Sequence, residues 1–146
     1  MPEGGVNLII ISVTAALTMT SVRVLLRGYA GDGTVLKPVM RAVNRHLAAD
    51  ATAGRFVTLV YLVLEPDTRD VRWINAGHGP IFLFDPTADS FEDITAQDIP
   101  LGINPDWQFE EHERIQWPSG SILLIGTDGI WETQNSEGRA FGKDGL

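Results

Sequence analysis

"FVTLVYLVLEPDTRDVRWINAGHGPIFLFD", residues 56–85, decides the fold. Three runs rich in Val, Ile, Leu, Tyr, Phe and Trp, at 56–65, 70–77 and 80–85, are separated by short breaks that contain Pro66-Asp67 and Gly77 to Gly79. Runs of this length and composition predict β-strands, and the short breaks leave room only for tight turns. Tight turns join antiparallel neighbours, because a parallel pair needs a long crossover. The stretch therefore predicts a hairpin over 56–77 and a third strand, 80–85, continuing the same sheet to a turn at Asp85-Pro86.

Downstream, "SFEDIT" (90–95) is expected to pair with that third strand. "IPLGINPDW" (99–107) is a Gly- and Pro-rich loop, and "QFEEHERIQW" (108–117) alternates as a half-exposed strand does. "PSG" (118–120) turns into "SILLIGT" (121–127), the most uniformly apolar strand and so expected at the centre of the sheet. "NSEGRAFGKDGL" (135–146) is polar and glycine-rich, a loop. Upstream, "NLIIISV" (7–13) predicts a short buried strand.

Two helices follow that strand. Over 14–31, Ala16, Leu17, Thr20, Val24 and Leu25 fall at helical spacing, with Gly28 and Gly31 suited to a helix end. Over 34–50, Leu36, Val39, Val43 and Leu47 form an apolar stripe, with Thr34 as N-cap and Pro38 tolerated in the first turn. Two helices followed by an antiparallel meander of about six strands make an α+β architecture with the helices segregated to one face.

Composition narrows the class. The chain has 146 residues, enough to bury a core, and neither a repeat nor a linker divides it, so residues 1–146 are expected to form one domain. A net charge of −8 argues against nucleic acid, which requires a basic face, and lends nothing to anionic membrane binding. With no cysteine there is no thiol nucleophile or zinc-thiolate centre. The apolar run at Val6–Val13 is too short to span a bilayer and the start lacks a signal peptide's basic character, so a cytoplasmic protein is expected.

Four segments then align in one order: Phe56-Val57-Thr58-Leu59; Asn75-Ala76-Gly77-His78-Gly79-Pro80; Pro100-Leu101-Gly102; and Gly126-Thr127-Asp128-Gly129-Ile130-Trp131-Glu132, followed by Asn135, Glu137, Gly138, Phe141 and Gly142. From about Ile9 onwards the chain resembles the SpoIIE/RsbU-type branch of the PP2C-like, metal-dependent protein serine/threonine phosphatases. The resemblance implies a sandwich of antiparallel β-sheets flanked by helices. It also implies hydrolysis of phosphoserine or phosphothreonine on a regulatory protein, such as a STAS-type anti-anti-sigma factor in a partner-switching pathway. Two Mn²⁺ or Mg²⁺ ions held by aspartates would activate water and clamp the phosphoryl oxygens, without a protein nucleophile.

Residue by residue, the resemblance makes Asp128 a metal ligand, with Gly129 opening the turn beside it for close backbone approach. On its own, Asp-Gly is also a common turn pair. His78 is read as structural, its ring bonded to nearby backbone, with a general-acid role as the alternative. His46 and His112 are expected at the surface, and Trp73, Trp107, Trp117 and Trp131 in packing. Asp98, Glu132 and Asp144 are expected to be solvated, as are Arg23, Arg27, Arg41 and Arg45, although an arginine facing the site could meet phosphate.

The pattern departs from the family at both ends. Ser12 falls where the family has its first metal aspartate, the following Gly-His-Gly is absent, and the C-terminal Asp-Asp segment is not reached. Serine is a weak, neutral ligand for a hard dication. The domain is therefore expected to be partial, and a second function stands beside the first: a phosphatase-like module that binds protein without catalysis. An open sheet edge beside 121–127 would favour self-association.

Overall fold

The computed structural model describes residues 6–12, 16–30, 35–49, 56–95 and 98–142. Its elements are β1 (Val6–Ser12), α1 (Ala16–Ala30), α2 (Leu36–Ala49), β2 (Thr58–Glu65), β3 (Asp70–Ala76), β4 (Ile81–Asp85), β5 (Ser90–Asp93), β6 (His112–Arg114), β7 (Ile122–Ile125) and the short helix α3 (Asp128–Trp131). Backbone packing divides the chain into two compact units, one over Met1–His78 and Ala96–Ser119, the other over Gly79–Thr95 and Gly120–Leu146.

The first unit is a four-stranded antiparallel sheet in the order β1-β2-β3-β6 with α1 and α2. The expected hairpin is present: Leu59 faces Ala76 and Glu65 faces Asp70 across β2 and β3. Arg69, at φ 62°, closes its turn by donating its N–H to the Glu65 carbonyl at 2.7 Å. Leu59, Tyr61 and Val63 point to one side of β2, as period-2 alternation requires, and join Val22 and Leu26 of α1 and Leu36, Val39, Met40, Val43 and Leu47 of α2 in one buried cluster. Fully burying a side chain of this size contributes roughly 1.5–3 kcal/mol, so this cluster dominates the unit's stability.

The α2 stripe is the expected one. The α1 face is the expected one only in part: Leu25 packs against the core as expected, but Val22 and Leu26 are the buried residues, while Thr20 and Val24 are exposed. Apolar residues surround much of α1, so more than one stripe can face the core. The side chains of Ala16 and Leu17, and the N-cap Thr34, lie outside the described residues.

The second unit is a three-stranded antiparallel sheet in the order β5-β4-β7. Residues 90–93 pair with β4 as expected, with Phe84 opposite Phe91. Three expectations are corrected here. Segment 80–85 does not continue the β2–β3 sheet; it starts a separate one, because Gly77 turns at φ 67° and Pro80 has no N–H to extend a ladder. Segment 121–127 is not central: β7 pairs with β4 alone among the described strands, and Ile122 is 59% exposed. Segment 108–117 pairs only over His112–Arg114, against β3. On one side Asp98 holds residues 107–110 out of the ladder; on the other, Gln116 at φ 53° turns the chain away and donates its N–H to Asp70 Oδ1 at 2.8 Å.

Candidate functional site

At one end of the four-stranded sheet, three of the sequence motifs meet. Asn75, fully buried at the end of β3, uses its side chain to close the turn that follows. Its Oδ1 accepts the His78 N–H at 2.8 Å and its Nδ2 donates to the His78 carbonyl at 3.4 Å. Inside that turn sits Gly77 at φ 67°, against Pro100: a Cβ at Gly77 would lie 2.7 Å from two Pro100 ring carbons. Leu101 then exchanges both backbone hydrogen bonds with Val57, at 2.8 and 3.0 Å. The adjacent Gly102, at φ 90°, donates its N–H to Asn44 Oδ1 at 2.9 Å, while Asn44 Nδ2 donates to the Asn104 carbonyl at 2.8 Å. The FVT, NAGH and PLG segments are thus one hydrogen-bonded knot anchored on α2.

His78 is buried, 5% exposed, and its Nδ1 lies 3.3 Å from the Thr58 hydroxyl. The ring thus meets a side-chain hydroxyl. Ser12 ends β1 directly opposite Thr58. Sequence reading missed Asn44 and Asn75 as organisers of this end. The signal available for Asn44 was a polar residue on the buried side of an amphipathic helix, which must find partners.

In the second unit, β7 runs into α3, so Asp128 and Gly129 open a short helix instead of the expected turn. Ile130 donates its N–H to the Thr127 carbonyl at 2.9 Å, and the Thr133 hydroxyl donates to the Gly129 carbonyl at 2.5 Å. Gly129 is not among the positive-φ glycines, and a Cβ added there meets only the Thr127 hydroxyl, at 3.8 Å. Neither conformation nor crowding among the described residues requires glycine at 129. The Asp128 side chain lies outside the described residues. Beyond α3, Asn135 Oδ1 accepts the N–H groups of Glu137 and Arg139 and closes a loop whose flanks bridge at Gln134 and Ala140.

Other candidates separate cleanly. His46 is exposed, as expected; His112 is half-buried and stacked on Trp73 with ring centroids 5.5 Å apart, not a surface residue. Asp98 is no solvated carboxylate either, since its two oxygens accept the Trp107 indole N–H at 2.8 Å and the Glu110 N–H at 2.9 Å. Glu132 is exposed, and Asp144 lies outside the described residues. Arg23, Arg27, Arg41 and Arg45 are exposed, with Arg45 paired to Asp106 at 3.4 Å. Among the described residues no three His, Asp or Glu side chains come together as a metal-binding group, so those residues alone do not fit a two-cation centre. No described helix is long and apolar enough to cross a membrane.

Comparison with known proteins places this architecture. The chain superposes on the PP2C domain of SiaA from Pseudomonas aeruginosa with a TM-score of 0.80 at 12% identity, covering 99% of this chain and 59% of that one. It superposes on RsbX, solved in complex with magnesium, with a TM-score of 0.70 at 15% identity, covering 89% and 63%. The fold is that of PP2C phosphatase domains. The chain belongs to the SpoIIE family: the sequence profile of stage II sporulation protein E matches residues 12–146. It is 24% identical over 126 residues to phosphoserine phosphatase RsbU of Bacillus subtilis (strain 168), a match covering 86% of this chain and 37% of RsbU. The chain thus spans little more than a third of that relative's length.

Proposed function

We propose that this chain is the phosphatase-fold segment of a protein that hydrolyses phosphoserine or phosphothreonine on a regulatory phosphoprotein, of the STAS-type anti-anti-sigma class, with Asp128 contributing a carboxylate to a Mn²⁺ or Mg²⁺ site. The observation that carries this is the placement of Thr127-Asp128-Gly129 at the mouth of β7, within a chain whose profile match runs from Ser12 to Leu146. The relatives named phosphoserine phosphatase and the magnesium complex of RsbX support it. Hard dications, when bound, lower the pKa of coordinated water and neutralise phosphoryl charge. The chain's own described contribution is positional: β7 and α3 hold Asp128 at a strand end, and the Thr133–Gly129 hydrogen bond steadies the segment after it.

The test is Mn²⁺-dependent release of phosphate from a phosphoserine protein and from p-nitrophenyl phosphate. Asp128→Asn is expected to lower turnover by about 100-fold, since it removes a charged ligand while keeping the shape. The departure of the sequence from the family pattern at Ser12 favours a second reading, a protein-binding module without turnover. Calorimetry separates the two: two Mn²⁺ ions bound with affinity lost in Asp128→Asn support the phosphatase, and no Mn²⁺ binding supports the module.

A further inference from the structure

On the outer side of α2, within the first unit, lies an open groove of about 620 Å³. Its rim carries Lys37, Arg41 and Arg45, and Pro38, Ala42, Trp107 and Phe109 line it. All three cations are exposed, in a chain whose net charge is −8. Arg45 already holds a carboxylate, that of Asp106 at 3.4 Å, at one end of the groove. Among the described residues, neither Lys37 nor Arg41 has an acidic partner. Asp98 is turned to the Trp107 indole and the Glu110 N–H. Phe109 is buried and Trp107 half-buried against the core, so the apolar wall is rigid.

The three cations recur every four residues along a helix, a rise of about 6 Å per step. An extended peptide places alternate side chains on one side about 6.6–6.8 Å apart. The two repeats match closely enough for three carboxylates at alternate positions to face three cations at once.

We propose that this groove docks an extended acidic segment of a partner protein, with Asp or Glu at alternate positions. The segment would occupy Lys37 and Arg41 and compete with Asp106 for Arg45. This surface is independent of the phosphatase reading, since it uses none of the residues invoked there.

An end-capped, fluorescently labelled heptapeptide alternating glutamate with leucine or alanine tests it by anisotropy against the 146-residue chain. Binding is expected that weakens as salt rises from about 50 to 300 mM, and that falls about tenfold in Arg41→Glu. The same peptide with glutamine for glutamate should not bind. Arg23→Glu changes charge equally on an exposed α1 residue outside the groove and should keep the affinity within about twofold, because it lies beyond the contact. No binding up to about 1 mM, equal binding of the glutamine peptide, or an equal loss in Arg23→Glu would each overturn the proposal. So would a peptide-independent dimer dissolved by Arg41→Glu, which would assign the groove to a second copy of this chain. Circular dichroism of Arg41→Glu confirms that the fold is retained.

Discussion

The two strand ends that carry the motifs are built on opposite principles. In the first unit, Asn75, Gly77 and Leu101 are held by hydrogen bonds or close packing, and Asn75, Ala76, His78 and Leu101 are buried. In the second, β7 is half-exposed, Thr127, Gly129 and Ile130 are exposed, and the glycine has room for a side chain. Motif residues at the first end are explained by packing, so their presence reports the fold. Those at the second end are not, which directs the search for chemistry to Asp128. A motif can identify a family through residues that never touch a substrate.

The sharpest way to break this contrast is Gly77→Ala. A Cβ there must adopt an unfavourable φ and overlap Pro100, and the combined cost is expected to be about 3 kcal/mol, read as a lowered urea midpoint. A tolerated alanine would show that the two motifs are not wedged together. Asn44→Ala comes next. It leaves the Gly102 N–H and the Asn104 carbonyl without their partner and should cost about 2 kcal/mol by the same measurement.

A third effect depends on pH. Burial pushes the Tyr61 hydroxyl above its ordinary value of 10.0, partly offset by the Arg72 guanidinium. The folded state therefore favours the neutral phenol. This stability is fully present below about pH 10 and is lost as pH rises through the higher folded value, because the unfolded chain ionises first. Melting temperatures at pH 9 and pH 11 should fall less in Tyr61→Phe than in the parent chain; an equal fall would remove Tyr61 as the cause. Smallest is Gly129→Ala, expected to change stability by less than about 1 kcal/mol and in the stabilising direction, since alanine suits a helix better. A large loss there would make the second strand end as packed as the first.

Much of the fold is legible in the residues. The α2 stripe, the β2–β3 hairpin and the β4–β5 pair follow from periodicity and turn chemistry, which are local. The errors share one cause. A uniformly apolar run such as residues 122–125 looks the same at the centre of a sheet or at its edge, since apolarity does not say how many neighbours a strand has. The α1 face failed for a related reason, with Val22 and Val24 both available to face the core and only tertiary packing choosing between them.

By itself, then, the sequence determined the element types, the antiparallel pairing of near neighbours and, through the order of four short segments, the SpoIIE family. Only the tertiary structure decided that residues 81–85 start a second sheet, that Gly77 and Pro100 interlock, and that Asn44 reaches 58 residues along the chain to Gly102. The physical reason is range. Propensity and periodicity act over a few residues, whereas a buried amide or a glycine facing a proline ring acquires its role from whatever distant backbone folding brings against it.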